Sequence, residues 1–260
     1  MTPTSLAAIF TALNSESGAN CEFIVRDKSS QNALKMDFAT LKTLLAVEKD
    51  KGELLVDLGL PSGRLWATRN IDVTRQNGFA ESPYTYACSF FSWGNTDGHN
   101  PISNSAFEYN FGSANDGPYA STPGASITYP GSAGAGDDAA TMNLGGPWRL
   151  PTTAEFKELF DNCIYINANG QEVEGTDKRV TVNGVMGILL QSRINGKKIF
   201  FACSGSGYGT SWTSRGSLGD YWSSSLSSAT SGRSLLFYSG GVDPQYSSNR
   251  FFGFAVRPVQ

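Results

Sequence analysis

The side chains best suited to chemistry lie near the C-terminus, in residues 227–251, and the chemistry that they fit is recognition. This stretch consists largely of serine, glycine, tyrosine, arginine, asparagine and threonine, with a few apolar residues. Recognition loops have this composition, because tyrosine gives a large contact area at low entropic cost and small polar residues adapt around it. The stretch therefore predicts a ligand-binding surface; the alternative is a loop region rich in serine and glycine with no special role.

A restriction on residue type supports a second, genetic interpretation. No lysine, glutamate or methionine follows Lys198, although lysine and glutamate are among the commonest residues of globular domains. Randomising the adenines of pyrimidine-ending asparagine codons yields serine, tyrosine, aspartate, glycine, arginine, threonine and alanine, but never lysine, glutamate, glutamine, methionine or tryptophan. We therefore predict a variable region at about residues 205–252, with Trp222 and Gln245 as unmutated framework.

The predicted ligand-binding positions are the exchangeable residue types of this region. They are Tyr208, Ser211, Thr213, Arg215, Ser227, Ala229, Thr230, Gly232, Arg233, Leu235, Tyr238, Gly241, Asp243, Tyr246, Ser247, Ser248 and Phe252. Four of them, Tyr238, Tyr246, Arg233 and Phe252, are expected to contribute most of the affinity, since aromatic and arginine side chains dominate interface hot spots.

Candidates for catalysis are few. His99 is the only histidine, and the chain has no GxSxG motif, so a serine-hydrolase triad would have to recruit His99 from a glycine- and asparagine-containing loop. Cys203 is the only cysteine near the C-terminus. We expect no enzymatic activity and no cofactor; the rival hypothesis is an enzyme whose turnover is abolished by changing Cys203 or His99.

Residues 134–139, Gly-Ala-Gly-Asp-Asp-Ala, formally fit a dinucleotide-binding pattern. They follow no apolar strand and belong to no βαβ unit, so a turn leading into a short helix is the better interpretation. Asp137 and Asp138 fit the acidic start of that helix, and a structural calcium ion is the less favoured alternative.

Composition limits the remaining classes. The 260 residues carry a formal charge of −3, which disfavours a general attraction to nucleic acid or to anionic membranes. No apolar run reaches membrane-spanning length, so no membrane insertion is expected. The N-terminus has no signal-like segment, which predicts synthesis in a cytosol. The four cysteines are widely spaced without a CxxC pair and are predicted to be free buried thiols rather than disulfides or metal ligands.

The elements that must position the C-terminal surface form two predicted units. Residues 1–50 combine an amphipathic helix, a strand at residues 21–26 and a second helix with an apolar stripe around Leu41, Leu44 and Leu45. So small a unit has little core of its own. We expect it either to dock and oligomerise the chain, giving a homo-oligomer such as a trimer, or to be a plain extension on the main domain.

The predicted main domain, residues 54–260, opens with a β-hairpin around Pro61 and Gly63, followed by an aromatic strand at Phe90 and Phe91. A long loop-like connection follows at residues 96–136, of a kind that is usually functional or wraps the fold. The final strand is expected to alternate buried and exposed positions over residues 252–257.

Residues 148–160 carry the most specific local pattern. Thr152 and Glu155 are spaced as a capping box, and Pro151 precludes a helix continuing from upstream. Phe156, Leu159 and Phe160 supply one apolar face of the predicted helix.

Five segments of the chain resemble a known family. They are Val-Asp-Leu-Gly-Leu-Pro-Ser-Gly at 56–63, Phe-Ser-Trp-Gly at 91–94, Gly-Pro-Trp-Arg-Leu-Pro-Thr at 146–152, Tyr-Trp-Ser-Ser-Ser at 221–225 and Gly-Phe-Ala-Val-Arg-Pro-Val at 253–259. Over residues 54–260 the chain resembles the formylglycine-generating-enzyme-like branch of the C-type lectin fold. The asparagine-derived tail resembles the variable proteins of diversity-generating retroelements, which display randomised residues on that scaffold.

The resemblance implies an α+β fold, a C-type lectin-like domain beside a small N-terminal α/β unit. In that fold, the strand at residues 56–58 would pair with the terminal strand at residues 254–256. It implies a receptor-binding protein of the phage tail-tip type, located in the virion after cytosolic synthesis and binding a protein or glycan ligand on a bacterial surface. An invariant surface adhesin or pilus-tip-like module, located at the bacterial cell surface, is the alternative. An oxidase of the formylglycine type would need a reactive cysteine pair, and only Cys203 stands near the C-terminus.

Overall fold

The computed structural model describes residues 22–26, 33–37, 54–112 and 137–260, and the chain divides into two compact units, Met1–Glu53 and Leu54–Gln260. In the first unit, β1 (Glu22–Arg26) pairs antiparallel with β2 (Ala33–Asp37). β1 coincides with the strand predicted at residues 21–26. The two helices predicted for this unit, and Cys21, lie outside the described residues.

The second unit is a mixed fold in which strands predominate. Its described residues contain two short helices, α1 (Ala139–Leu144) and α2 (Thr153–Asp161). The expectation of a mixed α and β fold is confirmed at this level. Among the residues described, no helix is long and apolar enough to cross a membrane.

Among the described residues, the second unit contains three sheets that are smaller than its five-stranded main sheet. A hairpin is formed by β3 (Leu55–Asp57) and β4 (Leu65–Ala67), as predicted from the turn at residues 61–63. A four-stranded antiparallel sheet contains β6 (Cys163–Tyr165), β7 (Val180–Val182), β8 (Val185–Ser192) and β9 (Lys198–Ala202). A short ribbon pairs β10 (Ser206–Tyr208) with β11 (Ser211–Thr213).

The main sheet is built almost entirely from the C-terminal segment. Its strands are β5 (Phe90–Phe91), β12 (Gly219–Leu226), β13 (Ser231–Tyr238), β14 (Gly241–Asn249) and β15 (Phe254–Ala255). Their order is β14-β13-β12-β15-β5. The long strands β12, β13 and β14 follow one another antiparallel, so the segment with the recognition-loop composition is largely regular sheet.

The two faces of this sheet are covered differently. On one face, Tyr221, Leu235 and Phe237 join a large apolar cluster that includes Phe156 and Leu159 of α2; we call this the helix face. On the other, the open face, a second cluster of Trp93, Trp222, Phe254 and Val256 covers β5, β15 and part of β12. This second cluster contains no residue of β13 or β14, so it does not cover that side of the open face.

The final strand differs from its prediction in two ways. β3 pairs with β4, and β15 lies between β12 and β5, so the expected pairing of residues 56–58 with 254–256 is wrong. The short turn at 61–63 closes β3 onto β4 locally, at a lower entropic cost than a distant partner. The C-terminus instead reaches β4, where the Ala67 amide donates to the Pro258 carbonyl at 2.9 Å.

The predicted alternation of buried and exposed positions in this strand is also wrong. Phe254 and Val256 are buried in the open-face cluster and Ala255 in the helix-face cluster, while Arg257 is fully buried. A strand with neighbours on both sides and a cluster on both faces has no solvent-facing row.

The capping box that the sequence predicts for α2 is confirmed. Thr152 Oγ1 accepts from the Glu155 amide at 3.2 Å, and Glu155 Oε2 accepts from the Thr152 amide at 2.8 Å. Arg149 donates to both carboxyl oxygens of Glu155. Burial alone would raise the pKa of Glu155, but the hydrogen bonds from Arg149 and Thr152 bring it below its ordinary value.

At α1, Asp138 is the N-cap, and its carboxyl accepts from the amides of Ala140 and Thr141, each at 3.0 Å. It also accepts from the Leu150 amide at 2.9 Å. The prediction of a helix start in this acidic segment is therefore confirmed, because the Asp138 side chain is engaged by backbone donors.

Candidate ligand-binding site

Two aromatic side chains fix β12 in the sheet. The Tyr221 hydroxyl donates to the Ala202 carbonyl at 2.7 Å, and Trp222 Nε1 donates to the Phe91 carbonyl at 2.6 Å. Both rings are buried, on opposite faces. Both residues are therefore parts of the core, and they help to set the position of the other side chains along β12.

Arg257 ties the C-terminus to the same framework. Its guanidinium donates to Asn70 Oδ1 at 2.8 Å, to the Phe200 carbonyl at 3.0 Å and to the Ala67 carbonyl at 3.3 Å. It also lies over the ring of Phe201, 4.6 Å from the centroid. Burial lowers the pKa of Arg257 to about 10, so the side chain remains a cation near neutral pH.

The open face carries a groove of about 330 Å³ across β12, β13 and β14. This volume lies at the lower end of the range for small-ligand sites. Its lining is mostly small polar and aromatic side chains: Ser206, Leu218, Asp220, Leu236, Tyr246, Ser247, Ser248, Asn249, Phe252 and Phe254.

Asp220 is the charged group in that lining, and only 4% of its surface is exposed. Its Oδ1 atom has no hydrogen-bond partner in the part of the chain that the structure describes, and neither does Oγ of the buried Ser234 on the adjacent strand. Burial raises the pKa of Asp220 well above its ordinary value. The Asp220 carboxyl thus brings a desolvated polar atom to the groove.

Aromatic rings form one side of the groove. Phe252 stacks on Phe254 with centroids 5.8 Å apart, and the Tyr208 ring lies 5.5 Å from that of Phe252. Tyr208 is 54% exposed and Tyr246, on β14, is 43% exposed. Such half-exposed rings can add contact area to a bound ligand without first being released from the core.

The predicted binding residues fall into three exposure classes. Nine are exposed: Tyr208, Ser211, Arg215, Ala229, Thr230, Tyr238, Asp243, Tyr246 and Ser247. Five are half-buried: Thr213, Ser227, Arg233, Gly241 and Phe252. Three are buried: Gly232, Leu235 and Ser248.

The groove brings together only part of this set. Tyr246, Ser247, Ser248 and Phe252 line it, and Tyr208 stands beside Phe252. The remaining positions are spread along the sheet. Residues 227–230 form the turn between β12 and β13, residues 238–241 lie at the opposite turn between β13 and β14, and residues 211–215 follow the β10–β11 turn.

Leu235 is the clearest correction among the predicted positions. It has no exposed surface and belongs to the helix-face cluster, so the expectation that it contacts ligand is wrong. Residue type alone placed it in the set, whereas its position opposite Tyr221 in the β12–β13 ladder turns it toward α2.

Two glycines are also unsuited to exchange. A Cβ added at Gly232 would lie 2.4 Å from Cδ1 of Trp93, which is too close for any side chain. Gly241 has φ +137°, a conformation that other residues rarely adopt. The structure therefore assigns both positions to the framework, which corrects their prediction as ligand-binding residues.

Arg233 does not line the groove. It shares the parity of Leu235 in β13, so it projects from the helix face. There Nη1 donates to the Gln245 carbonyl at 2.8 Å. Tyr238, Asp243 and Tyr246 instead share the register of Leu236 and Ser234 on the open face.

Sequence reasoning missed the groove floor. It did not select the lining residues Asp220, Leu236 and Asn249. The available signal was an aspartate next to the aromatic pair in a strand that is otherwise apolar or small. A carboxyl in such a strand requires a partner, and the nearest basic residue in the sequence, Arg215, donates instead to Asn104.

The catalytic candidates lie in unreactive settings. Cys88, Cys163 and Cys203 are free and buried, which confirms the prediction for these three. Burial raises the pKa of Cys203 to about 12, so its thiol is protonated near neutral pH. His99 stacks on Tyr109 with centroids 3.6 Å apart, and burial lowers the pKa of its imidazole.

The described residues contain no group of three or more His, Cys, Asp or Glu side chains that could hold a metal ion. Comparisons with protein-family models, with curated proteins and with solved structures find no match to this chain.

Proposed function

We propose that this chain is a hypervariable, non-enzymatic ligand-binding protein with a C-type lectin-like main domain, diversified by a retroelement. The observation that carries the proposal is the groove on the open face, four of whose lining residues, Tyr246, Ser247, Ser248 and Phe252, are among the positions predicted to bind ligand. Its floor and supports come from β12 and β15. Exchanges at exposed positions of the segment then change the ligand surface at little cost in stability.

The separation between support and surface is the physical basis of the proposal. Tyr221, Trp222 and Arg257 are held by buried hydrogen bonds to distant parts of the chain. Tyr246 and Ser247 are exposed on β14, the strand at the sheet edge. Surface changes at such positions usually alter stability by less than about 0.5 kcal/mol.

The setting proposed is a phage or prophage tail tip that binds a bacterial surface ligand, with residues 1–50 docking or oligomerising the chain. Linked copies would gain avidity from weak individual sites. The non-enzymatic part of the proposal is supported by the buried, protonated state of Cys203.

Two experiments test the proposal. A near-copy of the last coding segment beside a reverse-transcriptase gene, with AAC or AAT codons at the exchangeable positions, is expected in the adjacent DNA; sister genes identical at those positions would instead support the invariant adhesin. Binding of the labelled full chain to a panel of bacteria should be lost in a Tyr246→Ala/Phe252→Ala variant. Ile194→Ala, which trims an equally exposed apolar side chain outside the groove, should bind as the unmodified chain does.

A further inference from the structure

The Asp220 carboxyl at the groove floor indicates which chemical class of ligand the groove can bind. Asp220 and Ser234 are 4% and 0% exposed, and each has an atom without a hydrogen-bond partner among the described residues. Buried polar atoms are paired in the great majority of folded proteins, so each exception calls for an explanation. Here the two atoms lie on adjacent strands, and Asp220 opens directly into a groove.

The charges around the groove favour a cation. Among the residues that the structure describes, Asp220 is the only acidic one in the lining, Tyr246 is the only other ionisable one, and no lysine, arginine or histidine lines the groove. Asp243, opposite Leu236 on the open face, adds a second, exposed carboxylate. A cationic group would remove the desolvation cost of the Asp220 carboxylate by pairing with it.

The shape of the groove favours a cation on an apolar stem. Leu236, Phe252, Phe254 and Tyr246 supply apolar and aromatic surface above the floor. Lysine and arginine side chains pack their methylene stems on such surface while their charged ends reach a polar partner, and aromatic faces attract the cation itself.

We propose that this groove binds a lysine or arginine side chain displayed by a protein partner, with its charged end on Asp220 and its stem between Leu236, Tyr246 and Phe252. This rests on the proposed function only in assigning ligand binding to the same groove. Serine hydroxyls at positions 206, 247 and 248 provide further acceptors for the ammonium or guanidinium hydrogens.

The test uses the full chain, labelled with ¹⁵N, and a capped glycine pentapeptide with one central lysine, whose only charge is the ammonium. We expect the peptide to shift the amide signals of Ser234, Leu236 and Tyr246. An otherwise identical peptide with acetylated lysine, which is neutral, should bind at least about 10-fold more weakly, as expected for the loss of a charge-assisted hydrogen bond. This comparison needs no protein variant.

The variants locate the site. Asp220→Asn keeps the side-chain shape and should weaken lysine-peptide binding by about 10-fold or more. Asp97→Asn, the same change on an exposed loop outside the groove, should bind as the unmodified chain does. Equal binding of the lysine and acetyl-lysine peptides, or undiminished binding by Asp220→Asn, would overturn the inference. So would groove shifts produced by a neutral methyl glycoside and not by the lysine peptide.

The experiments distinguish a failure of lysine recognition in the groove from a failure of the receptor function. Groove-dependent attachment to bacteria without lysine-peptide binding would overturn this inference and leave the receptor function standing. Lysine-peptide binding that depends on Asp220, without attachment to any bacterium in the panel, would support this inference and count against the receptor function.

Discussion

Replacing Leu235 by alanine should destabilise the second unit strongly, although Leu235 lies within the segment of restricted composition. Its side chain is fully buried against Tyr221, Phe237 and Phe156 in the helix-face cluster. Truncating a buried leucine costs about 2–5 kcal/mol, from lost burial and from the cavity left behind. We expect about 3 kcal/mol, since the surrounding aromatic rings are large and the cluster joins the sheet to α2.

Urea unfolding followed by tryptophan fluorescence measures this cost. All five tryptophans lie within residues 54–260, so the signal reports on the second unit. With a urea dependence of about 2–3 kcal/mol per molar, a loss of about 3 kcal/mol lowers the midpoint by about 1–1.5 M. The matched control is Tyr246→Ala, a larger truncation at a 43% exposed position of the same segment, for which we expect a change within about 0.5 kcal/mol.

The outcome decides whether residue type or position defines the exchangeable set. If Leu235→Ala unfolds within about 0.3 M of the unmodified chain, Leu235 is dispensable to the core and the division into framework and exchangeable residues is wrong. The same division would also be wrong if Tyr246→Ala lowered the urea midpoint as much as Leu235→Ala, because Tyr246 would then be part of the framework.

Three further predictions follow from the buried polar groups. Arg257→Met should lower the free energy of unfolding by about 3 kcal/mol or more, since three buried acceptors each lose a donor at about 1 kcal/mol or more; a urea midpoint unchanged from that of the unmodified chain would contradict the role of Arg257. The pKa of Asp220 is raised in the folded chain, so folding is accompanied by proton uptake at this group. The stability that the group contributes is therefore fully present below pH about 4, and it is lost as the pH rises toward the folded pKa. The melting temperature of Asp220→Asn should therefore rise relative to that of the unmodified chain between pH 4 and 8, and a constant difference would refute this. Burial raises the pKa of Cys88, Cys163 and Cys203 to between about 11 and 12, so a thiol reagent should label these cysteines only after unfolding; rapid labelling of Cys203 in the folded chain would reopen the enzyme hypothesis.

The framework features that the sequence predicted correctly depend on local signals. Thr152 and Glu155 are three residues apart, and the turn around Pro61 and Gly63 joins two strands that pair with each other. In each case a few consecutive residues determine both the element and its partner. A capping box or a short hairpin needs no knowledge of the rest of the chain.

The positions that the sequence predicted wrongly depend on distant partners. A leucine at position 235 could face either side of the sheet, so its residue type does not show whether it is buried. The β12–β13 register is what turns Leu235 toward α2. Gly232 is excluded from exchange by Trp93, which lies 139 positions earlier in the chain. Arg257 reads as the exposed member of an alternating strand until β15 is placed between two neighbours. Composition selects residue types, but it contains no information about which strands are adjacent.

The two proposals together assign different roles to the floor and the walls of the groove. Asp220 stands on β12 beside Tyr221 and is not among the predicted exchangeable positions, whereas Tyr246 and Phe252 are. An exchange at Tyr246 then reshapes the groove around a charge that stays in place. Such a site can change the partners that it accepts while keeping one requirement in common, a cationic group able to reach the floor. The raised pKa of Asp220 also limits the cost of keeping that carboxyl buried, because the protonated form avoids most of the desolvation penalty.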